Sequence, residues 1–197
     1  GGFFMDLCNI NDIKALLARH GFHFSKAKGQ NFLTQSWVPR EIVEASGIDD
    51  RCGVLEVGPG IGPLTNELCK AAKKVLAVEV DTSLQPILAE TMAGNENLEI
   101  LFRDILKTDI PALVREEFPG LRPMACANLP DYITSPVLTK LLAENPAHMR
   151  LFNTITLNPG CGIGYHVHEN ETELFYLISG RGLFRDDDAT VELKAGD

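Results

Sequence analysis

The sequence predicts an α/β fold with a parallel sheet covered on both faces, followed by a shorter all-β segment. Three observations carry that prediction. Short apolar runs alternate with helical patterns from Asn11 to about Glu144; a glycine cluster sits directly after the first apolar run; and after Asn145-Pro146 the helical patterns stop and short strand patterns separated by glycines take over. Strands that alternate with helices imply right-handed crossovers and hence a parallel sheet with helices on each side.

Taken in order, Ile13, Leu16 and Leu17 have helical spacing, with Asn11 as the candidate cap. Pro39 opens a second helix to Ala45, at a position where its missing N–H costs nothing. Then come a strand at Val54–Val57, a helix at Pro63–Ala71, a strand at Val75–Val80 and a helix at Ser83–Met92. Leu98–Phe102 reads as a strand, Ile110–Phe118 as a helix, Pro123–Ala127 as a strand and Ser135–Ala143 as a helix. Beyond the turn at 144–149, Leu151–Leu157 alternates as a strand, and Glu173–Ser179, Gly182–Arg185 and Val191–Leu193 are further strands in the all-β part. The expected division is residues 1–145 and 146–197.

Composition narrows the function classes. A chain of 197 residues holds one domain, or one and a piece of another. Its 45% hydrophobic and 23% charged residues exclude disorder and collagen-like structure as overall descriptions. The net charge of −9 opposes tight nucleic-acid binding, which needs clustered Lys and Arg, and acidic residues outnumber basic ones in both parts. The stretch Arg19 to Lys28 is locally basic, with Phe22 and Phe24 interleaved. The cysteines (Cys8, Cys52, Cys69, Cys126, Cys161) are odd in number and lack a C-x-x-C pair, so reduced, mostly buried thiols in a cytoplasmic protein are expected. No apolar run is long enough to span a membrane, no basic region precedes the first apolar residues, and Met5 reads as a natural start.

The first constellation is a nucleoside-cofactor pattern. The strand ending in Glu56-Val57 runs into Gly58-Pro59-Gly60-Ile61-Gly62, where glycines let backbone approach a ligand at a helix N-terminus. A lone G-x-G-x-G also suits an ordinary tight turn. Glu79 ends the next strand, where a carboxylate takes both ribose hydroxyls, and Asp104 follows the third, where a carboxylate accepts from an adenine amine. Either acid alone reads better as a solvated strand end; it is the three in topological order that point to a cofactor. Glu56 ahead of the glycines favours S-adenosylmethionine over a nicotinamide dinucleotide.

The fourth strand ends in Asn128-Leu129-Pro130. An exocyclic amine is a poor nucleophile because its lone pair is delocalised into the ring. The Asn128 side-chain oxygen and the Pro130 carbonyl can accept from the amine and orient it for in-line attack. With Phe24-Ser25-Lys26, Gly29-Gln30-Asn31-Phe32-Leu33, the run Val54 to Thr65, Glu79, Asp104 and Asn128-Leu129-Pro130, residues 13–144 resemble the bacterial small-subunit ribosomal RNA adenine N6,N6-dimethyltransferase family. The resemblance implies a Rossmann-like class I methyltransferase core. It also implies an S-adenosylmethionine pocket lined by Asn31, Leu33, Glu56, Gly58, Gly60, Glu79, Asp104 and Asn128, and ribosomal RNA of the small subunit as partner, doubly methylated on two adjacent adenosines.

Two departures are expected to matter. The family places an aromatic after Asn-Leu-Pro to stack on the base; here Asp131 stands there, with Tyr132 one place later. The family also continues into further strands and a basic helical RNA-binding domain, whereas this sheet is expected to stop after its fourth strand and following helix.

The second constellation is a metal pattern, Gly160-x5-His166-x-His168-x4-Glu173-x6-Gly180. Two histidines at i, i+2 on a strand share a side, and a glutamate on the next strand can join them to hold Fe, Mn, Ni or Zn. This segment, about residues 150–197 and including Lys194-Ala195-Gly196-Asp197, resembles the first half of a cupin, a half jelly roll. The resemblance implies a fourth ligand, a histidine of a second motif, which is missing here. An unmetallated β segment is therefore the alternative to a working site, and a homodimer through the open cupin edge is one way to complete the barrel. Three readings follow: an adenosine-methylating enzyme, impaired or inactive; a metal-binding cupin-type protein; or a chimeric gene product that joins two families and has no native function.

Overall fold

The computed structural model of the chain describes residues 5–22, 33, 35–129, 131–144, 150–155, 159–160, 162, 177, 180–186 and 189–195. The chain divides into two compact units, Gly1–Cys161 and Gly162–Asp197.

Helix α1 spans Ile10–Arg19. Its cap is Asn9, two residues ahead of the expected Asn11, because the Asn9 side chain accepts from the N–H groups of Asn11 (2.9 Å) and Asp12 (3.2 Å). The helix ends in a Schellman turn. Gly21, at φ +64°, donates to the Ala18 carbonyl, and Phe22 N–H donates to the Leu17 carbonyl at 2.8 Å. Helix α2, Trp37–Ser46, begins two residues before Pro39 and stops at Gly47.

The sheet strands of the first unit are β1 (Cys52–Val57), β2 (Lys74–Glu79), β3 (Leu98–Phe102), β4 (Arg122–Leu129) and β5 (Arg150–Ile155). Between them lie α3 (Pro63–Ala71), α4 (Gln85–Thr91), α5 (Ile110–Glu117) and α6 (Asp131–Glu144), with short 3₁₀ turns at Thr82–Leu84 and Ile105–Lys107. All four pairings are parallel, in the order β3-β2-β1-β4-β5. Every residue of β1 is buried, as expected of a central strand covered on both faces.

The fifth strand corrects the sequence pattern. The pattern puts Leu151–Leu157 in the all-β end and stops the sheet at four strands, yet β5 pairs with β4 from Met124↔Arg150 to Leu129↔Ile155. Alternation reports that a strand exists but not what it pairs with. Here α6 supplies the crossover that brings the next strand back parallel to β4.

The two faces are filled by different elements. Leu55, Val57, Leu76, Val78, Ala125 and Ala127 pack against Ile110, Leu113, Val114 and Phe118 of the α5 region and Val137 and Leu141 of α6. A separate cluster joins Ile13, Leu16 and Leu17 of α1 to Leu84, Ile87, Leu88 and Met92 around α4, and takes in Ile61 of the glycine turn. The Arg19 guanidinium and His20 Nε2 both reach the Glu90 carboxylate, tying the end of α1 to α4. Cys8, Cys52, Cys69 and Cys126 are buried free thiols, as the spacing predicts.

In the second unit, β6 (Arg181–Asp186) and β7 (Ala189–Lys194) form an antiparallel hairpin in which Phe184 faces Val191. These match two of the expected strands. The third, Glu173–Ser179, lies outside the described residues apart from Leu177.

Gly53 packs so closely that a Cβ there would sit 2.4 Å from the Phe118 ring. Gly53→Ala is expected to cost about 1–3 kcal/mol by overpacking, read as a lower urea midpoint. Gly94→Ala, which meets nothing within 4 Å, serves as the neutral control.

Candidate functional site

The site begins where β1 ends. Gly58, Gly60 and Gly62 have φ of +71°, +61° and +96°, a region that side-chain-bearing residues rarely adopt. Gly58 N–H donates to the Val78 carbonyl and Gly62 N–H to the Pro59 carbonyl, both at 2.9 Å. Ile61, wholly buried, pins the turn into the α1–α4 cluster. A Cβ on Gly62 would meet Met92 Cε at 2.5 Å. Gly62 then caps α3, with Pro63 in its first turn.

Glu79 closes the other side of the turn. Its Oε2 accepts from Gly60 N–H at 3.2 Å and its Oε1 from Asp81 N–H at 2.9 Å, while the residue is 6% exposed. Burial pushes its carboxyl up from the ordinary range, and the two N–H groups work against that shift. The sequence placed Glu79 at the strand end; its bond to the glycine turn was not legible there.

Glu56 is 1% exposed and its Oε2 has no hydrogen-bond partner. Burial pushes its carboxyl up to about 8; the nearby Thr65 hydroxyl offsets part of this, and Glu79 adds to it. Thr65 Oγ1, like Glu56 Oε2, is buried without a hydrogen-bond partner. Burial together with the Glu56 charge also raises the thiols of Cys69 and Cys126, which leaves them poor nucleophiles.

Asp104 follows β3 and caps the 3₁₀ turn, accepting from Leu106 N–H at 2.9 Å, with Lys107 Nζ 3.8 Å away. An open groove lined by Arg103, Asp104, Lys107, Thr108, Asp109 and Glu116 adjoins it; its lining carries both signs of charge and does not include the glycine turn. Asn128 lies in β4, half-buried, opposite Thr154 of β5. The structure thus brings Glu56, Gly58, Gly60, Glu79, Asp104 and Asn128 to the carboxyl edge of one sheet, beside the switch point where β2 and β4 leave β1 in opposite directions. Leu33 is partly buried outside any regular element, while Asn31, Pro130, His166, His168 and Glu173 lie outside the described residues. Among the described residues no three His, Cys, Asp or Glu side chains gather as a metal site. Two residues escaped the sequence pattern: Val80 (63% exposed) and Leu106 (37%) place apolar side chains just after Glu79 and Asp104. Their signal was an apolar residue within two positions of each strand-end acid.

A parallel sheet in this order, with a glycine turn after β1 and an acid closing β2, defines a Rossmann-like methyltransferase fold. The chain belongs to the ribosomal RNA adenine dimethylase family, whose model matches residues 21–157. A cupin domain model matches residues 153–197. Among curated relatives, "Ribosomal RNA small subunit methyltransferase A" of Geobacillus thermodenitrificans (strain NG80-2) is 46% identical over 140 residues, which is 71% of this chain and 48% of the relative. The protein of the same name from Ligilactobacillus salivarius (strain UCC118) is 44% identical over 138 residues, 70% of this chain and 47% of the relative. The chain therefore spans about half the length of the curated relatives it matches. Among solved structures, a 23S rRNA methyltransferase, ErmE, aligns with a TM-score of 0.51 and 29% identity over 60% of this chain and 45% of that one. No helix among the described residues is long and apolar enough to cross a membrane.

Glu56 binds its proton more tightly folded than unfolded, so its contribution to stability is present below the ordinary carboxyl range and lost as pH rises toward about 8. Glu56→Gln is therefore expected to leave stability nearly unchanged at pH 5 and to raise it by a few kcal/mol at pH 8, measured as urea midpoints at the two pH values.

Proposed function

We propose that the first unit is an S-adenosylmethionine-dependent methyltransferase module directed at adenine amines of small-subunit ribosomal RNA in the cytoplasm, with its transfer step weakened at Asp131. The observation that carries this reading is Glu79, buried and bonded to Gly60 N–H beside three left-handed glycines, in a chain of this family. The donor set suits a positively charged nucleoside cofactor. A carboxylate at the end of β2 accepts from ribose hydroxyls, Val80 and Leu106 offer apolar surface to a purine, and the orphaned Glu56 oxygen awaits a cation.

When bound, S-adenosylmethionine supplies the methyl sulfonium as electrophile. The chain's own residues do the positioning. Asp104 would accept from the adenine amine of the cofactor, and Asn31 and Leu33 would join the pocket as the family resemblance implies. Asn128 and the Pro130 carbonyl would accept from the substrate amine and so orient its lone pair. Asp131, which begins α6, offers no π-face to an adenine, and its charge repels nearby phosphate. Lys26 and Lys28 supply cations for RNA phosphate.

A second reading is favoured by the cupin match over residues 153–197, with His166, His168 and Glu173 as ligands of Fe, Mn, Ni or Zn. The metal content of the purified chain decides it: substoichiometric metal overturns that reading. The two family matches overlap at 153–157, and we place the junction of the two parts at the end of β5, the arrangement a chimeric gene product would have.

Titration calorimetry is expected to show S-adenosylmethionine binding to the parent chain and at least a tenfold loss in Glu79→Ala; equal affinities overturn the reading. Asp131→Tyr is expected to raise methyl transfer to small-subunit ribosomal RNA at least tenfold at unchanged cofactor affinity, read as tritiated methyl incorporation. If transfer does not rise, Asp131 is not the cause of impairment.

A further inference from the structure

We infer that Glu56 carries its proton in the free protein and gives it up when the aminium end of the cofactor binds, so that cofactor binding releases a proton to solvent; this rests on the cofactor reading above. The geometry leaves Glu56 little choice. It is the penultimate residue of β1, two positions before the glycine turn, and is 1% exposed with Oε2 unpartnered. The elements around it bring no positive charge. Helix α3 contributes the Thr65 hydroxyl and the Cys69 thiol, β4 the Cys126 thiol, and β2 a second carboxylate, Glu79. Both oxygens of Glu79 are already held by Gly60 and Asp81 N–H groups, so it is fixed in place as a neighbouring negative group. Among the described residues no Lys, Arg or His pairs with Glu56.

A carboxyl group removed from water beside a second carboxylate, with no cation and no full set of donors, is stable only in its neutral form. Burial holds it up to about 8, so about nine-tenths of the molecules are protonated there at pH 7. Arrival of an aminium group at this end of the strands supplies the missing positive charge. The O–H bond of the carboxyl breaks, its electron pair stays on the carboxylate oxygen, and the proton leaves to buffer, with no change of oxidation state. Burial raises the Glu79 carboxyl as well, but the ribose hydroxyls it would accept from are presented by any adenosine thioether. Ligands with and without the amine therefore separate the two carboxyls.

The test is titration calorimetry of the full chain at pH 7 in two buffers of different ionisation enthalpy. S-adenosylhomocysteine, which has the amine, is compared with 5′-methylthioadenosine, which lacks it. The expected result is that S-adenosylhomocysteine releases nearly one proton more per site than 5′-methylthioadenosine, and that its Kd weakens about tenfold between pH 7 and pH 6. Glu56→Gln, which copies the neutral carboxyl, is expected to keep the parent's thermal melting at pH 5 and to bind without the extra release and without the pH slope. Equal release by the two ligands, a flat Kd for the parent, or release that persists in Glu56→Gln overturns the inference and leaves the cofactor reading standing. Failure of either ligand to bind overturns the cofactor reading itself. Should Glu56→Gln not fold, the two-ligand comparison on the parent chain still decides the question.

Discussion

The hydrogen bond from Gly60 N–H to Glu79 Oε2 is the contact on which the arrangement of the site depends. It joins the turn after β1 to the end of β2 through a carboxyl that burial raises and two backbone N–H donors pull back down. The same donors fix where it points. The turn needs this tether because three of its five residues are glycine, the residue that loses most freedom on ordering. On its far side the turn is held by packing: Ile61 is buried among α1 and α4 residues, and Met92 lies where a side chain on Gly62 would go. The turn is thus clamped between one polar and one apolar contact. The apolar contact depends on α1, whose end is fixed by the Schellman turn and by Glu90.

Much of this was legible in the sequence, because local pattern and local chemistry coincide there. The bounds of β3 follow from four apolar residues, interrupted only by Glu99, with Asn97 and Arg103 outside them, and the glycine turn follows from its spacing. Glu79 ends β2 and Asp104 follows β3, where the sequence pattern puts them. What escaped was partner choice. Asn9 and Asn11 are equally good caps by composition, and only the helix start decides between them. Leu151–Leu157 alternates as a strand in either part of the chain, and only the open edge of β4 decides where it pairs. Burial of Glu56 was invisible for the same reason: β1 is flanked by strands on both sides, and that is a property of the sheet order rather than of the run itself.

Net charge and site charge must be separated. A chain at −9 is a poor polyanion binder as a whole, yet the site is also acidic by construction: Glu56, Glu79 and Asp104 meet at one sheet edge. Acids in such a place select a ligand that is positive, or rich in hydroxyl and amine donors, and they disfavour a bare phosphate. The acidic balance of the chain is therefore partly local to this sheet edge, where three acids meet.

The strand β5 ties the two family matches together physically. Met124 to Ala127 of β4 are buried, so an unpaired β4 edge would leave backbone N–H and C=O groups without partners against a packed interior. Some strand has to occupy that edge, and the first alternating run after α6 is the one within reach. Its residues Asn153, Thr154 and Ile155 fall in the stretch where the methyltransferase and cupin matches overlap. The same alternation that suits the first strand of a β-sandwich suits an edge position on a parallel sheet, because both ask only for period-two patterning and free backbone groups. With β5 on that edge, β1 and β4, which carry Glu56 and Asn128, are each flanked by a strand on both sides.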